Sequence, residues 1–399
     1  MRSLRISMLL GQLQPGVGGC EQQAVRLAAA LQVRGHEVEI LTTRPRGTPA
    51  REVLHGVAVR RLFNFGNRRL LWRLGIYTYV TMVGAELLRR RPDVVHAHQL
   101  RHTALAAVAS RPMHGRPVLV KIATAGRFGD LAQMRSGEAF LGSSAALRVA
   151  LRAERLVAIS AEIAGELRVA GVPEARIARI PNGVVLPREE TSAAQRAAAR
   201  RTLGLADDDE VLVYVGRCRA QKAPDLLLSA WRRLQERPRC HLLVVGEGFT
   251  TDLAFRAAAQ ESPRLHLCGR VLDVPRYLAA ADALLFPSRG EGLSNALLEA
   301  LALGLPCVAS GIPANVEVLE GAGLLAPPED ALALARLSAA LLDDPRRRQV
   351  LSLAARRRAE RYELAQVAAR YEGLYAGMLQ GADSRGAPAL HGPDAQVVQ

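Results

Sequence analysis

Arg217 and Lys222 stand five residues apart, between an apolar run at 211–215 and a helical pattern that contains Asp225 to Trp231. An arginine forks two phosphate oxygens and a lysine adds a point charge. A cationic pair at a strand end, ahead of a helix whose first amides are unpaired, therefore suits a diphosphate. Two solvated arms on a loop are the plain alternative. A second group lies in PSRGEGLSNALLEALALGLPCVAS, where seven residues separate Glu291 from Glu299. Glu291 occupies a loop between Gly290 and Gly292, Ser294 or Asn295 can cap the next helix, and Glu299 falls early in that helix. One carboxylate then meets a ligand at the loop and the other from beneath. The amides of Gly292, Leu293, Ser294 and Asn295 face the same space and fit an anion or a fan of hydroxyls. A cap plus a surface charge also accounts for two acids, but the flanking glycines and the apolar helix favour a ligand.

Glycines punctuate the neighbouring loops. Gly216 precedes Arg217, Gly246 and Gly248 turn the segment VVGEGFT, and Gly269 opens CGRVLDV. Glycine permits φ > 0 and close approach of a ligand to the backbone, although a simple tight turn explains a lone G-x-G equally well. Analogy of fold, and nothing in the residues themselves, would have the backbone at Arg270 and Val271 read the edge of a base.

These loops need a scaffold that brings them to one place. Apolar runs of strand length alternate with helical patterns down most of the chain, the mark of parallel sheets covered by helices on both faces. Strands are expected at 4–10, 37–42, 57–62, 94–96, 117–122 and 156–159, then at 211–215, 240–245, 264–267, 283–286 and 306–309. The rhythm breaks at 181–206, with Pro181, Asn182, Gly183 and Pro187 ahead of a polar Ala/Arg-rich stretch. The fold class is therefore α/β, with two doubly wound, Rossmann-like parallel-sheet domains facing a cleft. A first domain at 1–187 and a second at 188–362 are expected. A helix at about 363–379 is expected to pack back on the first, followed by a disordered tail at 381–399. Open sheets of this kind bind ligands at the carboxyl ends of their strands, so function belongs in the strand-to-helix loops.

Composition narrows the partners. The chain has 399 residues, is 49% apolar and 23% charged, and carries a formal charge of +15. The excess lies in the first half: residues 1–187 hold 27 Lys+Arg against 12 Asp+Glu, and 188–399 hold 26 of each. A field of that sign attracts phosphate-rich partners, an anionic membrane face, a lipid phosphate or nucleic acid, the plain alternative being an arginine-rich composition with solvated side chains. Arg68, Arg69, Arg73 and Arg89 to Arg91 flank a helical pattern with Leu70, Leu71, Trp72 and Ile76 that can rest at a membrane interface, an ordinary buried helix being the alternative. Nucleic acid is disfavoured by scattered arginines and 4% aromatic residues. The five cysteines are isolated and no histidine stands near them at metal spacing, so neither a disulfide framework nor a zinc site is expected. The opening MRSLRISMLLG reads as a first strand rather than a leader, and a cytoplasmic setting, peripheral at most on the inner membrane face, is expected.

The series GR-x4-K, VVGEG, GRV, PS-x2-EG-x6-E and LPCVAS resembles the donor-binding half of the retaining GT-B glycosyltransferases of glycosyltransferase family four. In the first half, GGCEQQAVRLAAALQVRGHEVEILTT, DVVHAH and IPNGV are similar to that family's opening loop and helix, histidine-bearing strand end and inter-domain segment. The resemblance spans residues 4 to about 378. It implies a nucleotide-sugar donor, UDP- or GDP-linked, a glycan, lipid-linked or small-molecule hydroxyl acceptor, and transfer with retention of configuration. No metal and no further cofactor are implied. Arg217 and Lys222 would neutralise the departing diphosphate, Glu291 would hold the donor sugar and Glu299 the ribose. Gly18 and Gly19 would close onto the diphosphate from the opposite wall. His98 would sit beside the reacting carbon while His96 packs, and Asp130 would touch the acceptor. Two departures concern that acceptor side: Gly311 stands where an Asp is frequent, and the loop from Ala125 to Asp130 lacks a histidine that many relatives carry.

Other activities fit less well. The loop Gly16-Val17-Gly18-Gly19 is not G-x-G-x-x-G, and the second strand ends in Thr42-Thr43 where a nicotinamide dehydrogenase needs an acid. A nucleotide-sugar epimerase or a phosphorylase on the same fold, and a nucleic-acid-binding protein using the basic half, remain as alternatives.

Overall fold

Strands buried on both faces read as near-continuous apolar runs, and in a computed structural model of the chain these runs form two separate sheets. The structure describes residues 2–11, 13, 18–63, 72–136 and 144–386. The first sheet contains β1 (Arg5–Leu10), β2 (Glu37–Thr43), β3 (Arg51–Leu54), β4 (Val57–Leu62), β5 (Val94–His98), β6 (Val118–Ile122), β7 (Arg155–Ala158) and β8 (Ile177–Arg179). Their order is β3-β4-β2-β1-β5-β6-β7-β8. The second contains β9 (Glu210–Val215), β10 (Cys240–Val245), β11 (Leu265–Gly269), β12 (Ala283–Phe286), β13 (Cys307–Ser310) and β14 (Leu324–Ala326), in the order β11-β10-β9-β12-β13-β14. Among these strands only β3 and β4 pair antiparallel. Setting aside the antiparallel edge strand β3, each order reverses once, between β1 and β5 and between β9 and β12. The loops at those strand ends diverge and leave a crevice, and the two crevices face one another.

Helices cover both faces. The helix Pro224–Leu234 shows why it forms where it does: Pro224 is pre-set for a first helical turn, and Leu227, Ala230, Trp231 and Leu234 fall on one stripe buried against the second sheet. Burying each large apolar side chain contributes about 1.5–3 kcal/mol.

The apolar strands of both halves lie within a residue or two of their expected positions. The short edge strands β3, β8 and β14 were not expected. β3 alternates half-buried and exposed residues and turns into β4 through His55 and Gly56, both at positive φ. Three-residue edges such as β8 and β14 are too short for a periodic signal. The polar stretch before β9 contains a helix, Ala193–Thr202, capped by Ser192. Arg200 of this helix is buried and bonded to the Ala280 carbonyl and to Asp282. The last helix, Leu364–Gly386, runs beyond the expected end at 379 and into the expected tail, whose remaining residues 387–399 lie outside the described residues. So do Gly16, Val17, Arg68, Arg69, Leu70 and Leu71. No helix among the described residues is long and apolar enough to cross a membrane.

The chain crosses between the two sheets twice, side by side. Val184 N donates to the Tyr362 carbonyl at 2.7 Å and Leu364 N to the Val184 carbonyl at 2.9 Å. Gln23 clamps the first crossing by bonding both the N–H and the carbonyl of Gly183. After the second crossing, Leu364–Gly386 packs on α1 (Gly19–Val33), burying Val367, Ala368, Tyr371 and Tyr375 with Ala24, Leu27 and Leu31.

Candidate active site

A cleft of about 1750 Å³ lies between the domains and is lined by loops from both. On the second-domain wall, β9 runs into Gly216 and Arg217, then into a short turn, Ala220–Lys222, that ends on buried Ala223 at φ 46°. That strained residue, followed by Pro224, fixes where Lys222 leaves the backbone. The turn is stapled to the loop after β12: Gln221 Nε2 donates to the Gly290 carbonyl at 2.7 Å and Arg289 N donates to the Gln221 carbonyl at 2.8 Å. Arg289 also grips Asp225 at 2.6 Å and Glu329 at 2.8 Å, and its guanidinium holds the Asp225 carboxyl below the usual range.

Within this frame Lys222 Nζ meets Glu291 Oε1 at 2.5 Å. Ser288 Oγ donates to the same oxygen at 2.8 Å. The two side chains read from the sequence as separate contacts thus form one ion pair, with Glu291 6% exposed. Arg217 stays exposed, and no ion pair of its guanidinium occurs among the described residues. Gly246 is obligatory: at φ 150°, a Cβ there would stand 1.6 Å from the Gly216 carbonyl oxygen. Val271 and Leu272 form an apolar ledge at one end of the cleft, with Leu272 97% exposed.

The two walls touch at named points. Gly18 N donates to Glu21 Oε2 at 2.9 Å, which shapes the start of α1. Asn295 Nδ2 donates to the Gly19 carbonyl at 2.8 Å, and Asn182 Nδ2 donates to Asn295 Oδ1 at 2.9 Å. Asn182 also reaches the Leu293 carbonyl. The Asn295 side chain is therefore a bolt between the domains, while Ser294 caps the following helix through Leu297 N. Gly292 abuts the loop after β6, where a Cβ would stand 2.0 Å from the Ala123 carbonyl oxygen. Glu299 lines the cleft and is held at 2.8 Å by Arg26 of α1.

Two residues expected at the site are elsewhere. His98 is 1% exposed and does not line the cleft. Its ring stacks on His96 at 4.2 Å, and neither ring nitrogen has a hydrogen-bond partner among the described residues. His96 is in turn bonded to the Tyr375 hydroxyl at 2.8 Å. Burial, and then the neighbouring His96 and Lys121, hold His98 neutral, well below the ordinary histidine range. Asp130 is fully buried, accepting from Ala123 N at 2.9 Å and from Leu100 N. It ties the loops after β5 and β6 together rather than facing a ligand, and burial raises its pKa. Arg217, Lys222, Glu291, Glu299, Gly18, Gly19, Gly216, Gly246, Val271, Gly292, Leu293, Ser294 and Asn295 do meet around one cleft. Arg26, Asn182, His102 and Lys121 line it as well and carried no sequence expectation. Burial lowers His102 to about 4. The one cue for Lys121 was a charge inside an apolar strand.

Models of two protein families match the chain. The one described as Glycosyltransferase Family 4 covers residues 17–188, and the one described as Glycosyl transferases group 1 covers 209–344. The chain is 30% identical over 389 residues to the D-inositol 3-phosphate glycosyltransferase of Kineococcus radiotolerans, spanning 87% of this chain and 88% of that one. Among solved structures, sucrose-phosphate synthase from Thermosynechococcus elongatus superposes with a TM-score of 0.79 at 21% identity, covering 94% of this chain and 99% of the other. HepE from Anabaena, solved with UDP-glucose, gives 0.75 at 18% identity, covering 95% and 100%. The architecture shared with these structures is the GT-B fold expected above.

Proposed function

We propose, for a chain that belongs to the group 1 glycosyl transferases of glycosyltransferase family 4, that it moves a sugar from a nucleotide-sugar donor to an acceptor hydroxyl with retention of configuration. The observation that carries this reading is the convergence of Arg217, Lys222, Glu291 and Glu299 on one cleft whose opposite wall is the start of α1. Arg217 and Lys222 take the diphosphate, so the bond to the anomeric carbon breaks toward an already neutralised phosphate. That role needs neither a protonated acid nor a divalent cation. Glu291 exchanges Lys222 for the hydroxyls of the donor sugar. Glu299 exchanges Arg26 for the ribose diol, and the Val271–Leu272 ledge carries the base of a UDP- or GDP-linked donor. His98 and Asp130 do not line the cleft. A front-face attack, in which the leaving phosphate oxygen takes the acceptor proton, fits that arrangement. Catalysis then consists of positioning and electrostatic stabilisation. The positive first half suits a glycan or lipid-linked acceptor presented at an anionic membrane face.

The test is a thermal-shift panel of nucleotide sugars. A ligand bound by the folded state alone raises the midpoint, by about 2.7 kcal/mol of stabilisation at a hundredfold excess over Kd. One UDP- or GDP-sugar should give that shift and, with an acceptor, a product of the donor's anomeric configuration by NMR. No shift with any nucleotide sugar would overturn the reading. Arg26→Ala should tighten the binding of that donor by up to about fivefold, because a partly exposed ion pair contributes about 0.2–1 kcal/mol and its loss frees Glu299. Calorimetric titration of the variant checks this.

A further inference from the structure

Of the 53 basic residues in the chain only two are lysines, Lys121 and Lys222, and both line the cleft, from opposite domains. A composition that supplies arginine at every other basic position keeps lysine where a compact point charge is needed and a guanidinium fork is not. Lys222 has Glu291. Lys121 sits on β6 in V-L-V-K-I, on the face that carries Leu119 toward α1, and is 3% exposed. No ion pair or hydrogen bond of its ammonium occurs among the described residues, and Cys20, on the first turn of α1 and held as a neutral thiol by burial, is the titratable group that bears on it. A buried ammonium without a counter-charge is costly. Such a group persists where a ligand supplies the missing anion.

The surroundings identify that anion. Two residues beyond Lys121, Ala123 touches Gly292 in the loop that carries Glu291. On the other side, the first-turn amides of α1, a 15-residue helix, open toward the cleft. Gly18, at their head, would bring a Cβ within 3.7 Å of Arg217 Nη2. Lys121, the α1 amides, Arg217 and Lys222 therefore enclose one volume.

We propose that Lys121 is a substrate-binding residue whose ammonium, with the first-turn amides of α1, grips the donor diphosphate from the wall opposite Arg217 and Lys222. This rests on the nucleotide-sugar reading above. As the anomeric C–O bond breaks, its electron pair passes to the phosphate oxygen, and the full positive charge reaches that oxygen only when both domains are closed on it.

A pH signature follows. Lys121 is faced by Cys20 from α1 and by His96 and His98 from β5, while Cys20 is in turn faced by Glu21, Asp130 and Arg101 and bears on Tyr371 of the last helix. Burial lowers Lys121 to about 8, raises Cys20 to about 12, drives Tyr371 upward and keeps both histidines neutral. Between pH 7 and 9 Lys121 is the member of this group that changes charge, being cationic below and neutral above.

The experiment titrates the wild-type chain, Lys121→Met and Lys121→Arg with UDP and GDP, and with uridine and guanosine, at pH 7 and pH 9. Lys121→Met should weaken whichever nucleoside diphosphate the wild type binds by about 10- to 100-fold, as expected for a lost charge-assisted contact. Binding of the bare nucleoside should not change. Wild-type affinity for the diphosphate should fall toward pH 9, and that fall should be absent in Lys121→Arg. Equal weakening of nucleoside and diphosphate in Lys121→Met, or diphosphate binding as in the wild type, overturns the role of Lys121 and leaves the donor reading standing. A wild type that binds neither diphosphate overturns the donor reading itself. Should Lys121→Met not fold, a wild-type affinity constant between pH 7 and 9 overturns the proposal.

Discussion

Lys222→Ala is expected to lower kcat/KM by about 10²- to 10³-fold, the scale of one lost preorganised group at a charge that develops in the transition state. The same change has a second consequence, because Lys222 is the counter-ion of a carboxylate that is 6% exposed. Removing one partner of a buried pair costs about 3–5 kcal/mol when the other is left uncompensated. The cost here falls below that range, since Ser288 still donates to Glu291 and the Lys222 side chain is 20% exposed. Lost activity and lost stability must therefore be separated. Lys222→Met combined with Glu291→Gln removes both charges and keeps a donor and an acceptor beside Ser288. Its thermal midpoint should return close to wild type while turnover stays low. Activity restored together with stability in the double variant would make the pair structural and remove Lys222 from the chemistry.

The pairing shows where sequence reasoning stops. Arg217, Lys222, Glu291 and Glu299 were legible because each lies in the loop after a strand or in the helix that the loop leads into, and a parallel sheet delivers such loops to one edge. That Lys222 and Glu291 would neutralise each other in the empty cleft was not, because it depends on how two loops are stapled through Gln221 and Gly290. The same limit separates Glu299, read correctly onto the cleft wall, from Arg26, whose partnership with it needs the closing of two domains. His98 is more instructive. Its position two residues after His96 puts both rings on one face of β5, and the last helix was expected to return to the first domain. The tyrosines of that helix, Tyr371 and Tyr375, cover this face of β5 and pack against His96, on which His98 is stacked. Strand-end position alone favoured function for His98; the periodicity of strand and helix together favoured burial. Asp130 was misread for a related reason: a carboxylate that accepts two backbone N–H groups of neighbouring loops has no signature in its own segment.

Gly292→Ala should lower kcat/KM by about 100-fold with little change in thermal midpoint. Gly292 is not at positive φ, so the need for glycine is not conformational. It arises across the cleft, where an added Cβ would meet the Ala123 carbonyl oxygen at 2.0 Å, its carbon at 2.7 Å and the Thr124 Cα at 3.0 Å. All three are backbone atoms, so no side-chain rotation relieves the contact. The walls must part by more than about 1 Å to bring that 2.0 Å contact into the ordinary range, and a displacement of about 1 Å in a positioned site already costs about 10²-fold in rate. Each domain also keeps a buried cluster of its own, around β1 and α1 in the first and around β9 and Pro224–Leu234 in the second, which is why stability should hold. Gly290→Ala supplies the contrast two residues earlier in the same loop. Its nearest neighbour is the Phe128 ring at 3.0 Å, a side chain that can turn away, so its activity should remain within a few fold of wild type. Steady-state kinetics on the two variants, with calorimetric midpoints for each, decide the matter. If the two variants lose activity equally, the cost belongs to the flexibility of the loop, and the close approach of the domains at Gly292 does not set the rate.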